Sequence, residues 1–230
     1  ARTTALANDV WVEARKASDF PRFLPWLEKI VGLKRQAADC LGYTATPYDA
    51  LLEDYEPGET TAHLTEVLDA LRKDLVPLVE AVIGSGRQPD TSVLEREFPV
   101  VTQEAFGRAA AEAIGFDFAA GRLDVTVHPF CTGIGPGDTR LTTRYDPHGF
   151  GGAFFGVLHE TGHGLYDQGL DPAHSGTPRG EAVSLGIHES QSRLWENFVG
   201  RSLAFWKHFF PKAQQAFPAA LGDVGLDRFY

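Results

Sequence analysis

The sequence predicts a mainly helical fold with a small antiparallel β-sheet beside one central helix. Three observations carry this. Apolar residues recur at helical spacing through most of the chain; the period drops to two only over residues 123–128 and 139–145; and a Gly/Pro-rich stretch, residues 133–137, separates those two runs. The 230 residues hold 21 Lys and Arg against 31 Asp and Glu, a formal net charge of −10. That sign argues against nucleic acid and anionic membranes as partners. No apolar run approaches the roughly 18 residues needed to span a bilayer. Two cysteines, Cys40 and Cys131, cannot build a disulfide framework and suggest thiols in a reducing, cytoplasmic setting. Methionine is absent even at position 1, so the chain is expected to be an internal piece of a longer polypeptide.

The elements follow in order. Residues 11–17 read as a short helix. Residues 20–41 form a longer one, with Phe23, Leu24, Trp26, Leu27, Ile30, Val31 and Leu33 at helical spacing. Residues 43–59 hold Pro47, Pro57 and Gly58 and read as loop with at most one helical turn. Thr60-Thr61 opens a helix that runs to about Ile83 and stops at Gly84-Ser85-Gly86. Its stripe, Leu64, Val67, Leu68, Leu71, Leu75, Leu78, Val79 and Val82, is expected to face a core. Residues 102–120 form the next helix. The two alternating runs are then expected to pair antiparallel. The glycines between them lack the G-K-[ST] ending of a phosphate loop. Residues 149–168 are helical and apolar on several sides, 169–180 are loop, and 181–210 are expected to form one long helix. The whole reads as a single partial domain: a helical region over 1–121, the sheet over 122–146, two functional helices over 147–210 and an end at 211–230.

The informative pentapeptide is His159-Glu160-Thr161-Gly162-His163. Histidines at i and i+4 lie on one helix face, one turn apart. Both imidazoles can then reach one ion at about 2.0–2.1 Å. A Glu directly after the first His lies near the open coordination position, where it can take a proton from water and pass it to a leaving amine. The alternative, two solvated histidines on a helix surface, fits poorly beside Phe155, Val157 and Leu158. Gly162 costs helix propensity with no packing gain visible in the sequence.

A catalytic zinc usually takes a third protein ligand. Tyr166 and Gly169 occupy the positions where the extended H-E-x-x-H-x-x-G-x-x-H motif has Gly and His, so the third ligand comes from elsewhere. Asp167, Asp171, His174, Glu181, His188, Glu189 and Glu196 are candidates. Glu189, on the following helix, leads on spacing, ahead of Glu196 and Glu181. Two imidazoles and a carboxylate suit Zn²⁺ and tolerate Co²⁺.

These residues also carry a resemblance. His159-Glu160-Thr161-Gly162-His163 followed by His188-Glu189-Ser190-Gln191, with His128-Pro129-Phe130 and Asp138-Thr139-Arg140-Leu141-Thr142 before them, closely resembles the carboxypeptidase Taq family of metallocarboxypeptidases. The stretch from Tyr48 to Gly58 is similar too. The resemblance implies a helical zincin-like metallopeptidase fold with a small sheet beside the metal helix. It implies His159, His163 and Glu189 as ligands, Glu160 as general base, peptides with a free C-terminus as substrates, and a homodimer in the intact parent. The family's members are about twice as long and carry two later motifs, I-R-x-x-A-D and G-x-x-Q-D-x-H-W, that do not occur here.

The remaining motif residues have two readings each. His128 either bonds backbone at a strand end or lines a cleft. Arg140 either anchors a substrate carboxylate or pairs with Asp138. His188 either touches substrate or supports a ligand. Arg144 and Arg193 are weaker carboxylate binders. Neither cysteine has a base that can be placed beside it. The leading function is a metal-dependent carboxypeptidase; the rivals are a catalytically inactive metal-binding fragment and a zinc endopeptidase.

Overall fold

The first helix, α1 (Arg2–Ala17), ends where Ser18 turns left-handed, at φ 53°. Asp19 then caps α2 (Phe20–Leu41) by accepting from the Arg22 amide at 3.2 Å. A third, short helix, α3 (Pro47–Leu52), is tied to the next by Asp49, which accepts from the backbone of Thr46 and of Thr61. Thr60 caps α4 (Thr61–Gly84) through the His63 amide. These helices make up Ala1–Arg87, the first of two compact units in the computed structural model, which describes residues 1–230.

The α4 stripe departs from expectation. No residue of α4 is buried, and Leu68, Leu71, Leu78 and Val82 are each more than half exposed. Ala38 is the buried residue of α2. Helical periodicity establishes that a face is apolar; burial needs a second element with a matching face, and nothing in Ala1–Arg87 lies across this one.

The second unit, Gln88–Tyr230, is built around one helix. It opens with α5 (Val100–Ala113), shorter than the 102–120 expected, followed by β1 (Gly121–Val125), β2 (Cys131–Gly135) and β3 (Asp138–Thr143). The sheet order is β1-β3-β2. β3 pairs antiparallel with β2 but parallel with β1, with Gly121 opposite Thr139 and Val125 opposite Thr143. The expected antiparallel pairing of the two alternating runs is therefore wrong. Pro136-Gly137 makes a tight turn, with Gly137 at φ 78°, so the glycine stretch itself becomes a strand antiparallel to β3. The segment after β1 crosses to the far edge first, which leaves β1 and β3 running the same way.

The central helix, α6 (Phe150–Gln168), is buried on several sides, as its sequence suggested. Phe150, Phe154 and Leu158 enter an aromatic core with Phe98, Phe106, Phe205, Trp206, Phe209 and Phe217. Phe98 and Phe150 stack at 4.9 Å between ring centroids, and Phe150 and Phe154 at 5.3 Å. Val157, on another side, packs with Ala111, Phe116 and Leu141 under the sheet.

The single helix expected over 181–210 is broken. Ser184 caps α7 (Leu185–Arg193) by accepting from the Ile187 amide at 3.0 Å. A wider π-type turn, Leu194–Val199, follows, and Ser202 caps α8 (Leu203–Ala216) through the Phe205 amide. The break falls at Gly200, where a Cβ would lie 2.6 Å from Leu158 Cδ1 and 2.7 Å from the Trp195 carbonyl. Two short helices, α9 (Pro218–Leu221) and α10 (Leu226–Phe229), end the chain, with Phe229 edge-on to Trp206 at 4.6 Å. No helix is long and apolar enough to cross a membrane.

Candidate metal centre

The centre lies where α6 meets α7, and two glycines of α6 explain how closely it is held. A Cβ on Gly162 would stand 2.5 Å from the Gln191 carbonyl oxygen and 2.6 Å from Ser192 Cα. A Cβ on Gly164 would stand 2.6 Å from the Phe116 ring and 2.8 Å from Leu141. Two positions apart on a helix is about 200° of rotation. The helix is thus pressed between the α7 backbone on one side and the Phe116–sheet layer on the other. That is the packing gain missing from the sequence reading of Gly162.

On the α7 side, His159 and His163 lie one turn apart, edge to face, with ring centroids 5.0 Å apart. Their Nε2 atoms face the same oxygen of Glu189: His159 Nε2 is 3.7 Å and His163 Nε2 3.2 Å from Glu189 Oε2. One donor atom from each of the three residues falls within 4.8 Å of the others, a set that could hold a metal ion. The other Glu189 oxygen, Oε1, accepts from Arg193 Nε at 2.7 Å. Arg193 therefore aims Glu189 rather than standing free as a carboxylate binder.

Glu196, the rival for third ligand, turns its Oε2 to the opposite nitrogen of His159, Nδ1, at 2.8 Å. It also pairs with Arg193 Nη1 at 3.1 Å and Arg201 Nη2 at 3.3 Å. Asp167, another rival, accepts from His188 Nε2 at 2.9 Å, and His188 Nδ1 lies 2.5 Å from His163 Nδ1. Both ring nitrogens of His188 are thus engaged inside the protein. Tyr166 lies tilted against the same ring, with centroids 4.5 Å apart. Asp167 as a partner of His188 was missed; its place one turn after His163, on the same helix face, was the available signal.

Two other expected site residues stay apart from this group. His128 is exposed and its Nδ1 bonds the Pro129 carbonyl at 2.7 Å. Arg140 forks onto Asp138 through bonds of 2.9 and 2.8 Å on an exposed strand face. Each thus makes the local contact that was one of its two readings. Arg144 donates to the Val127 carbonyl at 3.3 Å. Cys131 is no nucleophile: burial first, then the nearby Asp167 and Glu160 charges, push its thiol far above its ordinary range.

Electrostatics single out Glu160. It is 6% exposed, and burial, followed by the charges of Glu189 and Glu196, pushes its carboxyl up to about 7. His163 moves down, through burial and then the neighbouring His188 and His159, which favours the neutral ring a ligand must offer. Burial opposes ionisation of Glu189, but Ser192, His159 and Arg193 outweigh it and hold the carboxyl below its ordinary value. Burial and charge thus push these two neighbouring carboxyls in opposite directions.

The whole chain, residues 1–230, matches the family model for carboxypeptidase Taq (M32) metallopeptidases. Thermostable carboxypeptidase 1 of Thermus thermophilus is 48% identical over 240 aligned residues, covering 100% of this chain and 47% of the relative. Carboxypeptidase 1 of Bacillus subtilis is 44% identical, covering 97% of this chain and 44% of its own length. The crystal structure of the M32 carboxypeptidase from Deinococcus radiodurans superposes with a TM-score of 0.86 at 43% identity, covering 99% of this chain and 46% of that one. The chain spans about half the length of the curated relatives it matches.

Proposed function

The chain belongs to the carboxypeptidase Taq (M32) metallopeptidase family, and on that premise we propose that it supplies the metal-binding and proton-transfer groups of an enzyme that removes C-terminal residues from peptides. The observation that carries this reading is the convergence of His159 Nε2, His163 Nε2 and Glu189 Oε2. That donor set suits Zn²⁺ and tolerates Co²⁺, whereas Mg²⁺ and Ca²⁺ favour sites built from more oxygens. A divalent ion held there supplies Lewis acidity, polarising a carbonyl and lowering the pKa of adjacent water.

Glu160 moves the protons. A carboxyl near about 7 is balanced between accepting a proton from attacking water and handing it to the leaving amine. Its burial keeps bulk water from competing for that proton. Arg140 is held by Asp138, and Arg193 by Glu189 and Glu196, so neither offers its guanidinium fork to a substrate carboxylate. Action on free C-termini, a homodimeric parent and a cytoplasmic setting belong to the same reading. The family resemblance supports the first two. Two thiols outside any disulfide, Cys40 and Cys131, support the third.

The test is metal analysis with turnover. About one Zn²⁺ or Co²⁺ per chain is expected, lost in His159→Ala and His163→Ala and weakened in Glu189→Gln. Glu160→Gln should keep its metal and, in the full-length polypeptide, lose at least about 10²-fold in turnover. The full-length polypeptide should trim a peptide with a free C-terminus and spare its amidated twin, while residues 1–230 alone should be nearly inactive. Undiminished metal in both His variants overturns the ligand set; cleavage of the amidated peptide would make the enzyme an endopeptidase.

A further inference from the structure

The hydrogen bonds behind the two histidines form chains whose proton positions are determined by their outer ends. Asp167 can only accept when ionised, so the proton of the 2.9 Å bond between them sits on His188 Nε2. A neutral His188 then presents a bare lone pair at Nδ1. Across the 2.5 Å contact to His163, one proton must lie between the two Nδ1 atoms, and it can come only from His163. That leaves the lone pair of His163 on Nε2, the atom facing Glu189 Oε2. On the other ring, Glu196 Oε2 draws the proton of His159 to Nδ1 at 2.8 Å and frees its Nε2 toward the same oxygen. Glu196 is itself held by Arg193 and Arg201.

We infer that Glu196, and Asp167 acting through His188, are positioning residues that hold His159 and His163 in the tautomer whose Nε2 lone pairs converge on Glu189. A free imidazole exchanges between tautomers; here each ring would have to give up a short internal hydrogen bond to do so. The two devices differ in kind. His159 is backed directly by a carboxylate, which raises its basicity as a ligand, whereas His163 is backed by a neutral ring that passes on only part of the Asp167 charge. The break after α7 belongs to this arrangement. Glu196 lies in the π-type turn Leu194–Val199, a bulge that sets the direction of its carboxylate.

The inference rests on the metal-centre reading above for its purpose, but its geometry is tested without metal. Long-range ¹⁵N–¹H spectra of the imidazoles of the metal-free full chain at pH 8 report each tautomer directly. His159 and His163 should both carry their proton on Nδ1. Glu196→Ala should return only His159 to a tautomer mixture, and Asp167→Ala only His163 and His188. Glu196→Gln and Asp167→Asn, which keep an acceptor oxygen, should retain most of the Nδ1–H preference and serve where the Ala variants fail to fold by circular dichroism. Zn²⁺ affinity, read by competition with a chromophoric chelator, should fall about 10–100-fold in the Ala variants and less in the amides. A tautomer mixture in the parent, or unchanged tautomers and affinity in the variants, overturns the inference. A parent that binds no Zn²⁺ yet shows both Nδ1–H rings overturns the metal reading instead.

Discussion

Glu160 sits among acids that do not share its fate. Glu189 and Glu196 have arginines within 3.3 Å, while Glu160 is buried and feels their charges. The native state therefore holds a proton on Glu160 up to about pH 7, whereas the unfolded chain releases it near the ordinary 4.5. Between those values the native state binds more protons, so stability falls as pH rises through the window, by about 3 kcal/mol in all. Glu160→Gln removes that penalty. Urea denaturation of the metal-free chain should show the variant more stable by up to about 3 kcal/mol at pH 8 and nearly unchanged at pH 4. Equal stabilisation at both pH values would mean the effect is packing, not charge.

At the scale of elements, the centre depends on how closely two helices approach. Gly162 lies against the backbone of Gln191 and Ser192, and Ser192 is one helical turn from Glu189. Backbone cannot yield as a flexible side chain would. Gly162→Ala gains about 1 kcal/mol in helix propensity, but overpacking at a closed contact costs about 1–3 kcal/mol. The variant is expected to be less stable overall. It should also lose at least about tenfold in Zn²⁺ affinity, because α7 must back away and take Glu189 with it. Thermal melts paired with chelator competition check this. A more stable variant with parental affinity would show that the helices can part without cost to the site.

At the scale of the whole molecule, an ion at this centre would join two segments that the chain keeps apart, α6 and α7. Binding to the native state alone stabilises it by mass action, about 2.7 kcal/mol at a ligand concentration 100 times Kd. Adding Zn²⁺ should therefore raise the melting midpoint of the parent and leave His163→Ala unmoved. Hydrogen exchange should place the gained protection in α6 and α7. Protection gained equally in α4, whose residues are all at least partly exposed, would point to a site other than this one.

The sequence by itself determined which residues share a helix face within one or two turns. The His159–His163 spacing puts two imidazoles on one face whatever surrounds them. The apolar run around Phe150, Phe154 and Leu158 marks a helix buried on several sides, and α6 is one. The family, too, was legible from four short motifs. What only the tertiary structure decided involves segments brought together across the chain. Spacing favoured Glu189 over Glu196 as third ligand, but it could not say that Glu189 faces the Nε2 atoms while Glu196, in the π-type turn, faces the Nδ1 of His159. The crossing at Gly162 and the π-type turn before Gly200 decided it. The parallel pairing of β1 with β3 came from a strand hidden in a glycine stretch, and the exposed stripe of α4 from the lack of a covering element in its own unit. Local pattern reports the chemistry of a face; which face it meets is set by close packing between distant segments, a property that periodicity does not encode.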